Sequence, residues 1–66
     1  MNAVQNGKLL RQLRGSQAVS ETAKALNISE SSLTKYEYGV RTPRDDLKVR
    51  MAEFYNKSVQ ELFYSN

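Results

Sequence analysis

Short polar side chains and one cation share the outer face of a helix that the sequence predicts over residues 30–38. At about 100° per residue, Leu33, Tyr36 and Glu37 face one side of this helix. The opposite face carries Ser31, Thr34, Lys35 and Tyr38. Short side chains let a helix enter the major groove of DNA, and a lysine there can reach guanine acceptors or a phosphate. Taken alone, the same face also fits an ordinary solvated helix surface.

A tight turn precedes this helix and sets its direction. Asn27 tolerates the left-handed conformation that ends many helices, so it closes a preceding helix. Ser29 can cap the next helix by accepting a hydrogen bond from an amide two or three residues further on. Ile28 and Leu33 flank this cap as a hydrophobic staple. Residues 20–39 therefore predict a helix-turn-helix unit, with a helical hairpin that only packs as the alternative.

The rest of the chain predicts three more helices and no strands. The first predicted helix covers residues 6–14, the second starts between residues 16 and 20 and ends at residue 26, and the third covers residues 30–38. The fourth starts near residues 43–46, and the fifth follows Ser58. Gly15 and Gly39 end the first and third helices. Asp45 and Asp46 suit the first turn of the fourth helix, because acids there complement the helix dipole. Ser58 caps the fifth helix, and residues 1–5 and the last two are predicted to be loose.

These helices predict one small all-α domain over residues 1–66, a compact bundle with its core at about 6–64. The predicted inward residues are Leu9, Leu10, Leu13, Val19, Ala23, Leu26, Leu47, Met51, Phe54, Tyr55, Val59, Leu62 and Phe63. The aromatic residues among them, with Tyr36, are expected in the core and not as base-stacking platforms. Phe63 and Tyr64 lie near the chain end and could complete the core or form part of a dimer contact. Val49 points outward and is a second candidate for an interface.

The composition excludes most chemistry. The 66 residues carry ten Lys and Arg against seven Asp and Glu, a net charge of +3, and contain no cysteine and no histidine. Disulfides, zinc sites and histidine-based acid-base or nucleophilic chemistry are therefore ruled out. The sequence has no nucleophile motif, no acid/base pair and no Gly-rich phosphate loop. We expect no enzyme, no metal, no cofactor and no small-molecule substrate.

The chain also lacks targeting signals. It has no run of about 18 apolar residues and no signal peptide, so neither a membrane span nor export is expected. Together with the absence of cysteine, this predicts a cytoplasmic protein.

Four segments of the chain resemble the lambdoid phage repressor and Cro-like family of helix-turn-helix regulators, also called the xenobiotic-response-element family. They are LLRQLRG at 9–15, ETAKALNISESSLTKYEYG at 21–39, RTPRDDLKVRMAEFY at 41–55 and NKSVQELF at 56–63. The resemblance implies a lambda-repressor-like fold and a bacterial or phage DNA-binding protein. It further implies a transcriptional regulator, most often a repressor, that binds a pseudo-palindromic operator in double-stranded DNA as a homodimer.

The resemblance also assigns DNA contacts. Its base-reading positions fall on Glu30, Ser31, Ser32 and Lys35, with Thr34 beside them. Its phosphate-binding segments are the amino end of the second helix, near which we expect contacts from Gln17 and Ser20, and the loop after the third helix, with Arg41 and Arg44. Tyr38 is outward and next to this basic loop, so we expect it to bind phosphate as well. Glu37 lies on the inward side, where an unpaired carboxylate is costly, and the family pairs this position with the one that Arg14 occupies.

Two positions depart from the family pattern. Val19 stands where the family usually has a DNA-contacting glutamine, and Gln17 is two residues away from that register. Glu30 opens the third helix with an acid, which phosphate repels. It either accepts a hydrogen bond from cytosine N4 or serves only the helix dipole.

A protein-interaction module on the same fold is the alternative function, such as an antitoxin or a phage or mobile-element helper that binds a partner protein. The distribution of charge distinguishes a DNA-binding regulator from a protein-interaction module. Lys35, Arg41 and Arg44 cluster around the third helix, which favours DNA.

Overall fold

The computed structural model describes residues 2–64, and they form five α-helices. The helices are α1 (Ala3–Arg14), α2 (Val19–Leu26), α3 (Glu30–Glu37), α4 (Asp45–Tyr55) and α5 (Val59–Phe63). The described residues contain no strand, so the all-α prediction is confirmed. α3 packs against both α1 and α2, while α5 closes the bundle against α1 and α4.

α1 begins earlier than the sequence predicted. The Asn2 side chain caps it by accepting a hydrogen bond from the Gln5 amide at 3.1 Å, and the helix starts at Ala3. The prediction that the chain is loose through residue 5 was therefore wrong for residues 2–5, because the cap was overlooked. The same prediction for Met1 and for residues 65–66 lies outside the described residues. Gly15 ends α1 as predicted, with a φ of 60°.

The turn between α2 and α3 has the predicted geometry. Asn27 adopts the left-handed conformation with a φ of 59°. The Ser29 hydroxyl oxygen accepts a hydrogen bond from the Ser32 amide at 3.0 Å and caps α3. Ile28 packs against the core beside this cap. These local contacts end α2 and begin α3 within three residues.

One apolar core joins all five helices. Its buried residues are Leu10, Ala23, Leu26, Leu33, Leu47, Met51, Ala52, Leu62 and Phe63. Asn6 is buried beside it and donates a hydrogen bond through its Nδ2 to the Phe63 carbonyl at 3.3 Å. This bond ties the first turns of α1 to the end of α5. The apolar spacing did not predict it, because Asn6 is polar.

Phe54 was predicted to face the core, and this was wrong: 39% of its surface is exposed. The core-facing side of α4 is centred on Met51, and Lys48 takes a place on it. The buried Lys48 stem ends in an ammonium that donates to the Tyr64 hydroxyl at 2.8 Å, so its charge keeps a polar partner. Phe54 lies at the edge, with its ring packed edge-to-face on the Tyr55 ring.

The Tyr55 hydroxyl is buried and has no hydrogen-bond partner among the described residues. Desolvation by burial, together with the nearby Glu37 carboxylate, raises the pKa of Tyr55 to about 12, although Arg14 opposes this shift. We expect Tyr55→Phe to raise the free energy of unfolding by about 1 kcal/mol, because an unsatisfied buried polar group is removed. Urea unfolding at neutral pH measures this, with Tyr38→Phe, whose residue is exposed, as the unchanged control.

The stability of Tyr55→Phe should also depend on pH differently from that of wild type in alkaline solution. Below the unfolded pKa, near 10, the phenol is neutral in both states, but between about pH 10 and the folded pKa of about 12 the unfolded chain loses this proton while the folded protein keeps it, so stability falls as the pH rises. Wild type should therefore lose more stability than Tyr55→Phe above pH 10. A lower stability of Tyr55→Phe at neutral pH would contradict the assignment.

Candidate nucleic-acid interface

The two faces of α3 divide as the sequence predicted. Leu33 and Glu37 are buried on the inner face, with Glu37 only 1% exposed. Ser31 and Thr34 are exposed on the outer face, and Lys35 is half-buried there. The outer face therefore combines short polar side chains with one cation.

Arg14 holds the carboxylate of Glu37 at the end of α3. Its Nε donates to Glu37 Oε2 at 2.8 Å and its Nη2 donates to Oε1 at 3.1 Å, a two-point contact. The hydrogen bond with Glu37 raises the pKa of Arg14 above its ordinary value. The expected Arg14–Glu37 pair is confirmed, and it locks α1 to the carboxyl end of α3.

Arg14 also reaches the amino end of α2. Its Nη1 donates to the Gln17 carbonyl at 2.8 Å. The Gln17 side chain accepts a hydrogen bond from the Thr22 hydroxyl at 2.9 Å, and Gln17 and Ser20 are both exposed. One arginine thus fixes the start of α2 relative to the end of α3, the two places where phosphate and base contacts are expected.

α1 and α3 meet backbone to backbone at Gly7. A Cβ built on Gly7 would lie 2.7 Å from the Glu37 carbonyl carbon and 2.8 Å from the Tyr36 carbonyl oxygen. Arg11 donates a hydrogen bond from its Nη1 to the Glu37 carbonyl oxygen, one turn further along α1. Sequence reasoning missed both residues, since neither breaks a helical pattern.

The loop after α3 folds back on the helix. The amides of Val40 and Arg41 both donate to the Lys35 carbonyl, at 2.9 Å and 3.4 Å. Arg41 is therefore held directly beside Lys35. Pro43 is buried and anchors the loop, and Arg44 is the N-cap residue of α4. The loop brings both predicted phosphate-binding arginines to the end of α3.

Tyr38 is the C-cap residue of α3 and is 59% exposed. The guanidinium of Arg11 lies over its ring, 4.3 Å from the centroid. This cation–π contact restrains the ring while the residue remains largely open to solvent.

A family model described as Helix-turn-helix matches residues 8–62. The chain belongs to this family. Its model is of the lambda-repressor or xenobiotic-response-element type and describes a DNA-binding domain. No curated protein and no solved structure matches the chain. Among residues 2–64, no helix has the length and apolar character that a membrane span needs.

The remaining predicted contact residues of the helix-turn-helix domain, Glu30 and Ser32, differ in exposure and in hydrogen bonding. Glu30 is exposed at the first position of α3. Ser32 is half-buried, and its hydroxyl oxygen accepts a hydrogen bond from the Ser29 hydroxyl at 2.9 Å. Ser32 is thus engaged with the cap of α3, although its own hydroxyl can still donate outward.

The cations around α3 have no carboxylate partners within the described range. The ion pairs among residues 2–64 join Arg14 to Glu37 and Lys48 to Asp45, the latter at 3.7 Å. Lys35, Arg41 and Arg44 take part in neither pair. The surface beside the outer face of α3 in this helix-turn-helix domain therefore carries three cations that neither ion pair of residues 2–64 includes.

Proposed function

We propose that this protein binds double-stranded DNA sequence-specifically and regulates transcription, most simply as a repressor in the bacterial cytoplasm. α3 enters the major groove, and a homodimer engages two half-sites of a pseudo-palindromic operator about one helical turn apart. The observation that carries the proposal is the group of three cations, Lys35, Arg41 and Arg44, that surrounds the short polar face of α3 without carboxylate partners in residues 2–64.

Each group of side chains has a proposed role. The base-reading residues are Ser31, Ser32, Thr34 and Lys35, with Glu30 at the start of the helix. The phosphate-binding residues are Gln17, Ser20, Tyr38, Arg41 and Arg44. In this scheme the arginines supply affinity that does not depend on sequence, and the α3 side chains supply specificity.

Selection from a pool of random duplexes at two salt concentrations tests the proposal. Enrichment of a two-fold symmetric motif would support a specific dimeric regulator, and its affinity should fall steeply with salt. Retention that is sensitive to salt but enriches no motif would contradict sequence specificity. No retention at low salt would contradict DNA binding altogether.

Lys35→Ala and Arg41→Ala make a matched pair, because each removes one cation from the same edge. We expect Lys35→Ala to lower affinity for the selected operator about tenfold to a hundredfold while changing affinity for unrelated DNA less. Arg41→Ala should lower both affinities by a similar factor, because a phosphate contact does not depend on the base sequence. Competition titrations with both duplexes measure the two ratios. Equal losses for Lys35→Ala would make Lys35 a phosphate contact.

A protein-interaction module is the second candidate, and one exposed apolar area favours it. Val4 and Val40 are 54% and 75% exposed. They flank the close contact of Gly39 with α1, where a Cβ on Gly39 would lie 2.9 Å from the Val4 Cα. If this area served a partner protein, Val40→Ser would abolish partner binding and leave DNA retention at wild-type levels.

A further inference from the structure

A shallow pocket of about 440 Å³ lies beside α3, outside the face proposed to read bases. Its walls come from the end of α3, the following loop and the exposed side of α4. They include Tyr36, Arg41, Arg44, Asp46, Leu47 and Arg50. Arg50 lies one helical turn after Asp46, so the pocket extends along α4 beyond the loop.

The charges of this pocket are strongly unequal. Three arginines, Arg41, Arg44 and Arg50, line it together with a single acid, Asp46. Neither ion pair within residues 2–64 involves any of the three arginines. Asp46 lies in the first turn of α4, where the helix dipole already favours a negative charge. The pocket therefore presents positive charge and a set of uncommitted N–H donors.

The base of the pocket is firmly held. Leu47, which lines the pocket, is buried, and the amide of Arg41 is tied to the Lys35 carbonyl at 3.4 Å. The volume falls in the range of about 300–1,000 Å³ seen for small-ligand sites, although such sites are mainly apolar. A pocket rimmed by three arginines instead suits a hydrated anion. The planar fork of arginine matches the oxygens of phosphate in particular.

We propose that this pocket binds a phosphate group and that Arg50 is one of its ligands. The group is either a phosphodiester of the DNA strand that flanks the α3 contact or part of a free phosphate compound. The first source rests on the proposed function, whereas the second does not. In both cases Arg50 extends the phosphate-binding surface from the loop onto the body of α4.

Arg50→Gln tests the inference, with Lys57→Gln as the matched control. Both variants lower the net charge by one, and exposed Lys57 lies just past the opposite end of α4 from the loop. In the first arm, binding of mixed-sequence duplex DNA is measured over a series of salt concentrations. Loss of one phosphate contact should make the negative slope of log K against log salt shallower by about 0.9 for Arg50→Gln. The slope for Lys57→Gln should equal that of wild type.

In the second arm, inorganic pyrophosphate is titrated into the free wild-type protein and both variants while their amide and arginine resonances are followed. Saturable shifts at Arg41, Arg44 and Arg50 that disappear in Arg50→Gln would support binding of a free phosphate compound. A reduced salt slope specific to Arg50→Gln, without pyrophosphate shifts, would identify the DNA strand as the source.

The inference is overturned if Arg50→Gln matches Lys57→Gln in the salt slope and pyrophosphate leaves the pocket resonances unmoved. If wild type still binds DNA in that case, the proposed function stands without Arg50. If wild type binds no DNA, the proposed function fails, and the pyrophosphate titration still decides the pocket on its own.

Discussion

Arg14→Ala is expected to lower the free energy of unfolding by about 3–5 kcal/mol, the cost of leaving one member of a buried ion pair alone. Glu37 is 1% exposed, and Arg14 supplies both of the side-chain contacts to its carboxylate oxygens. Without the guanidinium, the carboxylate must stay charged in the core or take up a proton. Either outcome destabilises the fold.

A loss of this size is large for a chain of 66 residues. Domains are typically stable by about 5–15 kcal/mol, and small ones bury the least surface. The variant also loses the bond from Arg14 to the Gln17 carbonyl, so the start of α2 is released together with the end of α3. DNA affinity should therefore fall even under conditions where most of the variant remains folded.

Urea unfolding of Arg14→Ala beside two other variants separates the causes. Arg44→Ala removes an exposed arginine outside both ion pairs of the described residues, so its stability should stay within about 0.5 kcal/mol of wild type. The double variant Arg14→Leu with Glu37→Leu removes the charge together with its partner and should recover most of the loss. If Arg14→Ala stayed within about 1 kcal/mol of wild type, Arg14 would not be what holds the Glu37 carboxylate.

Local signals were enough to predict the elements that position α3. The Asn27 turn and the Ser29 cap depend on residues within one or two turns of each other, and both have the predicted geometry. The inward position of Glu37 followed from helical spacing, which made a cationic partner necessary. Its identity as Arg14 came from the resemblance and not from spacing, because the two residues are 23 positions apart.

Positions that depend on how helices approach one another were harder to predict. Phe54 fits an inward pattern, but the packing of α4 against its neighbours buries Lys48 and leaves Phe54 at the edge. A lysine contributes a long apolar stem that apolar spacing does not count. Arg50 joins the pocket beside α3 for the same kind of reason, because the loop from Gly39 to Arg44 sets where α4 lies. No local pattern encodes that approach.

Gly7→Ala is expected to destabilise the domain by about 2–3 kcal/mol, at the upper end of the range for overpacked sites. On helix propensity alone the substitution would be favourable by about 1 kcal/mol, since alanine suits a helix interior better than glycine. The structure predicts the opposite sign. The new Cβ would overlap the carbonyl groups of Glu37 and Tyr36, which are backbone and cannot turn aside as a side chain can.

Thermal unfolding of Gly7→Ala beside Gln12→Ala measures this effect. Gln12 is an exposed position on the same helix, so its substitution should change the Tm little. One kcal/mol corresponds to about 4–8 °C in a domain of this size, so the Tm of Gly7→Ala should fall by about 10 °C or more. An unchanged or higher Tm would mean that α1 and α3 are further apart than described.

The position of Gly7 also links stability to DNA recognition. Any shift that relieves the overlap must move α1 away from the carboxyl end of α3, where Arg11 bonds the Glu37 carbonyl and lies over the Tyr38 ring. The folded fraction of Gly7→Ala should then bind the operator more weakly than wild type, although no proposed DNA contact has been changed. Gly7 would thus be a positioning residue, because close contact between two backbones fixes the angle of α3, the helix proposed to read bases.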